Sequence, residues 1–423
     1  MNLLPTPPEP RFRLYTSLRD YLTIFGNLLF GRVTQGDDLK DLEQSIAHMI
    51  GVDDKTTLLT PQARVAVYLA VKSLIQSGRR NVILSPYTIP DVINMVLCAG
   101  GIPCFVDIDR TTCNINPKTA SDLIDHTTGA VMVTHLFGLA TDLDLLKPRC
   151  IELNVPLIED ASHAFGTIVN GWHVGTMGDA GIFSFGMYNP LNCLYGGMLV
   201  TPHAQVLAHA ATLLEFFPWM DMPSYLQRTF QALVFDLITH PWIFKSITFW
   251  IRRYGLLHHA PWSGISSQDD CDSTLQTTFP EHLARRMTPM QARILMRQLD
   301  SVAANTRARI DRAKLYHHGL QDLPDLILPP LRLDSSHGYT QFPIQSPQRN
   351  ALMHHLLREG RDVAPPHLTN CAQHPCFIQY ARDCPNAQAT ANQILLLPTY
   401  PRYSIQEVQR NIQSIRRFFK ADG

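Results

Sequence analysis

The chain has 423 residues and a mass of 47.7 kDa, enough for one large domain with a smaller one beside it. Lys plus Arg number 36 and Asp plus Glu also number 36, so no bulk charge draws the chain to nucleic acid. With 45% hydrophobic and 17% charged residues it is globular, and its nine Cys, none in a C-x-x-C pair, give neither a disulfide framework nor a zinc ribbon and point to a reducing, cytoplasmic setting.

The N-terminal run MNLLPTPPEPRFR puts Pro and charge where a secretory signal keeps an apolar stretch, so no export is expected. Residues Pro5 to Pro10 cannot sustain helix or sheet pairing and read as a surface arm. From Leu14 to Leu29 apolar residues recur at three and four spacing, which predicts an amphipathic helix with a docking face, for instance toward a partner subunit. Between Asp53 and about Val200, helical stretches (Arg64 to Ile75, Asp91 to Ala99) alternate with β-rich runs (Asn81 to Leu84, Cys104 to Val106, Ala130 to Thr134, Leu157 to Ile158). That alternation predicts βαβ units on a mostly parallel sheet, with ligand chemistry at the carboxyl ends of its strands.

Phe216 to Trp262 is rich in aromatics and reads as an insertion. Arg228, Asp236, His240 and Lys245 interrupt its apolar runs, so it gives no spanning helix. The aromatic and basic mixture around Trp250, Arg252 and Arg253 leaves contact of residues 216–262 with a membrane surface open beside plain packing, and so a membrane-peripheral place for the protein. The tail opens with a helix from Met290 to Leu299 continuing toward Leu315 and closes with one over Ile405 to Phe419, with short strands between them in a small α+β domain. His367, Cys371, His374 and Cys376 carry soft ligands, but their spacing matches no common zinc pattern and no metal is expected.

Two fragments carry chemistry. Asp160 ends an apolar strand in IEDASH, where an acid points into the ligand crevice or caps the following turn. Small residues with a hydroxyl, Gly178 to Gly181 and then Phe183, Ser184 and Phe185, can bring backbone amides close to a phosphate.

Seven ordered blocks, VILSPYTI (Val82 to Ile89), FVDID (Phe105 to Asp109), HLFG (His135 to Gly138), IEDASHAFG (Ile158 to Gly166), GDAGIFSF (Gly178 to Phe185), GGMLVT (Gly196 to Thr201) and RMTPMQA (Arg286 to Ala292), closely resemble the DegT/DnrJ/EryC1/StrS family of pyridoxal-phosphate sugar aminotransferases. The resemblance runs from about Leu58 to Thr201 and again from Arg285 to the C-terminus. It implies a fold-type-I PLP-transferase, α/β with a mostly parallel central sheet, forming a homodimer with cofactor sites near the subunit interface and taking nucleotide-linked keto-sugars. Residues 1–45 then form an arm and helix, 46–215 the large domain, 216–284 the insertion and 285–423 the small domain.

Carried over by position, the resemblance pairs Asp160 with the cofactor's pyridine nitrogen and sets His163 beside its phenolic oxygen. It stacks Tyr87 on the ring and gives Ser184 to the phosphate. At the lysine that forms the Schiff base this chain has Asn189, whose amide nitrogen is delocalised into its carbonyl and can neither form an imine nor shuttle a proton. Ala63 and Arg64 stand where the family has Gly-Thr, and Ala284 replaces the Asn of N-x-R-M, although Arg64 can still hold an anion. The site has been rebuilt or abandoned.

The expectation is an enzyme of polysaccharide or glycan biosynthesis that binds PLP or PMP non-covalently, with any base role passing from Asn189 to His163 or another group. The alternatives are a catalytically inactive binding or scaffolding homologue and a cofactor-independent group transfer in the same cleft.

Overall fold

The structure, a computed structural model, describes residues 6–76, 78–258 and 274–421; Pro5 and Trp262, counted above in the arm and the insertion, lie outside them. The Pro-rich arm is not a loose surface segment, since Pro8 and Pro10 are buried. Proline has no N–H to satisfy, so the arm needs partners mainly for its carbonyls, and residues from the last quarter of the chain supply them. Tyr400 Oη donates to Pro10 O (2.8 Å) and Arg361 Nη2 to Thr6 O (3.2 Å), while Glu9 accepts from the Ser404 amide (2.9 Å). Leu14 is buried in this strap, and the helix predicted from it starts later, where Ser17 and Asp20 form a capping box for α1 (Leu18–Leu29). Next, α2 (Asp38–Ile50) stops at Gly51, which takes the left-handed conformation, φ 72°.

The chain then builds β1 (Thr57–Thr60), α3 (Ala63–Leu74), β2 (Asn81–Leu84), α4 (Pro90–Cys98), β3 (Ile102–Phe105), β4 (Thr128–Thr134), β5 (Leu157–Asp160), β6 (Ala180–Ser184) and β7 (Gly197–Val200). These strands form one sheet of order β1-β7-β6-β5-β4-β2-β3. It is parallel from β3 through β6, and β7 runs antiparallel to both β6 and β1. A strand such as β7, buried at every position, reads as an unbroken apolar run because helices cover both faces, and β5, buried throughout as well, carries Glu159 and Asp160 at its end. The expected mostly parallel α/β architecture is the one that forms.

The insertion folds as α5 (Met222–Ile238), a short turn at Pro241–Ile243, a π-helical turn at Phe244–Thr248 and α6 (Phe249–Leu257). Tyr225, Ala232, Phe244 and Phe249 pack inward, whereas Phe230, Trp242 and Tyr254 stay exposed. No helix of the described residues is long and apolar enough to cross a membrane. Arg252 and Arg253, read above as basic contacts for a membrane surface, turn inward: Arg252 Nε donates to Asp362 Oδ1 (3.0 Å) and Arg253 Nε to Leu357 O (2.9 Å).

In the tail, Thr288 and Gln291 form the capping box of α7 (Pro289–Leu299). The helix expected to run on toward Leu315 breaks there, with the Ser301 hydroxyl donating to Gln298 O (2.7 Å), and α8 (Val302–Leu320) starts anew. After it come β8 (Phe342–Gln345), α9 (Arg349–Arg358), β9 (Ile394–Leu397), antiparallel to β8, and α10 (Ile405–Ala421).

Candidate active site

A cavity of about 790 Å³ opens at the carboxyl ends of β4, β5 and β6, which present Thr134, Asp160 and Ser184 to it. Parallel strands ending together make this the place where an open α/β sheet holds ligands. The N-terminus of α3 arrives at the same point with Gln62, Ala63 and Arg64. Gln62 makes no side-chain cap; its carbonyl accepts from the amides of Val65 (3.1 Å) and Ala66 (3.2 Å), and the amides of Ala63 and Arg64, with no intrahelical acceptor, favour an anion. The approach requires Gly197 on β7, because a Cβ there would meet the Ala63 nitrogen at 2.5 Å.

Facing that helix end, Ser184 Oγ accepts from Asn189 Nδ2 (2.7 Å). An uncapped helix end, a hydroxyl and an amide together form a cradle for a phosphate-like anion. Asp160 is 6% exposed, and its Oδ1 accepts from the Ser162 amide (3.0 Å). His163 Nδ1 accepts from the Phe137 amide (3.4 Å), which leaves the ring hydrogen on Nε2. Burial lowers the His163 pKa below the usual imidazole value and the Asp160 charge only partly restores it, so the ring is neutral near pH 7. Phe137 itself sits at φ 57°, unusual for a residue with a Cβ, and is held there as its carbonyl accepts from the Thr340 amide (2.9 Å).

Six of the residues singled out from sequence, Ala63, Arg64, Asp160, His163, Ser184 and Asn189, thus line one cleft. Tyr87 does not join them. Its ring is 1% exposed inside the main core, and its backbone pairs with Asn370. After Thr88 the chain turns into α4, and the cleft wall there is Ile89, an aliphatic side chain with no π face. Arg64 is also not a free cation, because its Nη1 pairs with Asp91 Oδ2 from the first turn of α4.

Sequence reasoning gave no role to Glu159 or His135, although both fall in quoted motifs. Glu159 is completely buried and its carboxylate accepts from His135 Nε2 (3.1 Å) and from the amides of Gly175 (2.9 Å), Met177 (2.6 Å) and Gly178 (2.7 Å). Alternation along β5 sends Glu159 to the face opposite Asp160, so it ties the 175–178 loop beneath the strand that carries the cleft acid.

The other omission is α5, which roofs the cleft with Arg228, Gln231, Val234 and Phe235. Three rings clamp this roof to its surroundings. Tyr188, beside Asn189, meets Phe12 of the arm and Phe235 of α5 edge to face at 5.5 Å each, and Phe12 meets Phe235 at 6.1 Å. Nothing in the local pattern of an aromatic insertion says which part of the fold it covers.

The sequence pattern of the DegT/DnrJ/EryC1/StrS aminotransferase family matches residues 27–221 and 271–416. The match begins well before Leu58 and passes over the stretch that carries α5 and α6. An uncharacterized protein of Methanocaldococcus jannaschii is 22% identical over 418 residues, covering 96% of this chain and 97% of that protein. Helicobacter pylori PseC, an aminotransferase involved in the biosynthesis of pseudoaminic acid, superposes with a TM-score of 0.75 at 17% identity, covering 98% of this chain and all of PseC (100%). The Escherichia coli GDP-4-keto-6-deoxy-D-mannose-3-dehydratase with bound hydrated PLP gives 0.74 at 17% identity, covering 97% of this chain and 100% of that one. At such identities the likeness carries the fold.

Proposed function

The chain belongs to the DegT/DnrJ/EryC1/StrS aminotransferase family, and from that premise we propose that it holds pyridoxamine or pyridoxal phosphate without a covalent bond and acts on a nucleotide-linked keto-sugar in polysaccharide or glycan biosynthesis. The observation that carries this reading is the retention of Asp160, His163 and Ser184 in one cleft around an amide at the lysine position. These residues fit the cofactor: the Ser184 hydroxyl and the amides of α3 take its phosphate, and Asp160 takes its ring nitrogen. When bound, the cofactor supplies a protonated ring that delocalises negative charge left on carbon. Asp160 keeps that ring protonated.

His163, with its hydrogen on Nε2 and Nδ1 already accepting, is built to donate to an oxygen, so it orients the ring more readily than it removes a proton. The similarity to a GDP-keto-sugar dehydratase whose structure contains hydrated PLP supports both the keto-sugar class and non-covalent binding.

An absorbance titration with pyridoxamine phosphate tests the reading. The parent protein is expected to bind saturably. Asp160→Ala should weaken binding roughly 30-fold or more, since removing one member of a buried charge pair costs about 2 kcal/mol or more. A parent protein that does not bind the amine form sinks the proposal. One observation favours a second reading, a non-catalytic binding partner: the Asn189 amide already engages the Ser184 hydroxyl, and Ile89 offers the ring no aromatic face. Saturable cofactor binding with no turnover of any keto-sugar nucleotide would select it.

The assembly proposed is a homodimer. On α1 the outer residues Leu18, Leu22, Phe25 and Leu29, between 48% and 80% exposed, repeat at four-three-four spacing, the seam of a helix that packs on another helix. Sedimentation is expected to show a dimer that Leu22→Glu with Leu29→Glu converts to monomer. A monomeric parent would remove α1 as the contact.

A further inference from the structure

Two guanidinium groups line the cleft among the described residues, Arg64 and Arg228, and their surroundings differ. Arg64 is neutralised by Asp91. Among the described residues Arg228, on α5, has no carboxylate partner. Its Nε donates to Tyr195 Oη (3.1 Å) and its guanidinium carbon lies 4.9 Å from the centre of the Tyr195 ring. One nitrogen and one face are thereby used to fix the plane of the group, which leaves the two terminal nitrogens with no acceptor among the described residues. Both tyrosines flanking the loop of Asn189 feel this charge, because Arg228 favours the ionised form of Tyr188 and of Tyr195 against the opposing effect of burial. A guanidinium oriented in this way over a cleft is half of a fork that matches two oxygens of a phosphoryl group.

The placement in the chain matters as much as the charge. Residues 27–221 and 271–416 carry the family pattern, so α5 lies outside the matched stretches, while the phosphate contacts within the pattern are altered at Ala63, Arg64 and Ala284. We propose that α5 supplies the phosphate-binding cation of this cleft, the Arg228 guanidinium, and that its ligand is a phosphoryl group of the molecule bound beneath it. The inference rests on the cleft being a ligand site for phosphorylated molecules. Two sources of that group are open, the cofactor's monophosphate and the diphosphate of a nucleotide-linked sugar.

Calorimetric titration of the full-length protein separates them, with pyridoxamine phosphate, phosphate-free pyridoxamine and uridine diphosphate as probes for the parent, Arg228→Gln and Arg228→Lys. Arg228 is exposed and its replacement leaves the core intact. The expected result is a ten- to hundredfold loss of affinity in Arg228→Gln for one phosphorylated probe, partial recovery in Arg228→Lys, and no change for pyridoxamine. Loss for pyridoxamine phosphate assigns Arg228 to the cofactor, and loss for uridine diphosphate assigns it to the substrate. If the parent binds uridine diphosphate through Arg228 but takes no pyridoxamine phosphate, the cofactor reading fails and this inference stands. Equal affinities in parent and Arg228→Gln, or a parent that binds neither phosphorylated probe, overturn it.

Discussion

Asn189→Lys is expected to give a protein that forms a covalent bond with pyridoxal phosphate, fixable by borohydride and seen as a mass increment on that one residue, where the parent forms none. The reason is electronic. The Asn189 nitrogen shares its lone pair with its own carbonyl, whereas a lysine amine at the same place has a free pair once it loses its proton. Geometry favours the change, because Asn189 now donates to Ser184 Oγ at 2.7 Å. Replacing it frees that hydroxyl for a phosphate and sends an amine into the cleft beside it. Near-stoichiometric labelling of the variant against none in the parent is the expected contrast. If the variant binds pyridoxal phosphate and stays unlabelled, residue 189 does not face the cofactor aldehyde. A labelled parent would mean that another lysine reaches the cleft, and the account of Asn189 would be wrong.

What could be read from the sequence follows a physical division. Strand ends and the turns after them are local, so Asp160 and the turn with Ser184 were legible from the residues themselves, whereas Ala63 and Arg64 were brought to the same cleft only by the resemblance to the family. Tyr87 shows where local reading stops. It lies in a two-residue strand that bends into α4, and over so short a segment no alternation decides which side chain faces the ligand. Arg64 was legible as a cation but not as a neutralised one, since its partner Asp91 is on another helix. Burial of the Pro-rich arm depends on acceptors and donors hundreds of residues away, at Arg361, Tyr400 and Ser404. The roof is the largest loss: an aromatic, amphipathic helix announces that it will pack, and only the tertiary fold shows that α5 packs over the cleft of Asp160 and Ser184.

The second large effect is on stability, at Glu159. Removing this carboxylate with Glu159→Ala strands the His135 ring hydrogen and three backbone amides in a site with no access to water, and should cost roughly 3 to 5 kcal/mol. Two features make the loop unable to adapt: Gly175 holds φ 90°, and a Cβ there would meet Phe183 Cζ at 2.5 Å. Burial pushes the Glu159 pKa up, but His135 and the amides outweigh it and the folded value falls below the ordinary 4.5. A carboxyl depressed in the folded state contributes stability that is complete above its unfolded value and fades as pH falls through the lower, folded one.

Urea midpoints of the parent and Glu159→Gln should therefore differ most near neutral pH and converge as the pH drops well below 4.5. A gap that does not change with pH would show that the amide's shape, not the lost charge, is responsible. Because Glu159 points away from Asp160 across β5, Glu159→Gln should leave affinity for pyridoxamine phosphate within a few fold of the parent while the midpoint falls. Loss of both together would mean that the 175–178 loop positions the cleft acid as well as the strand beneath it.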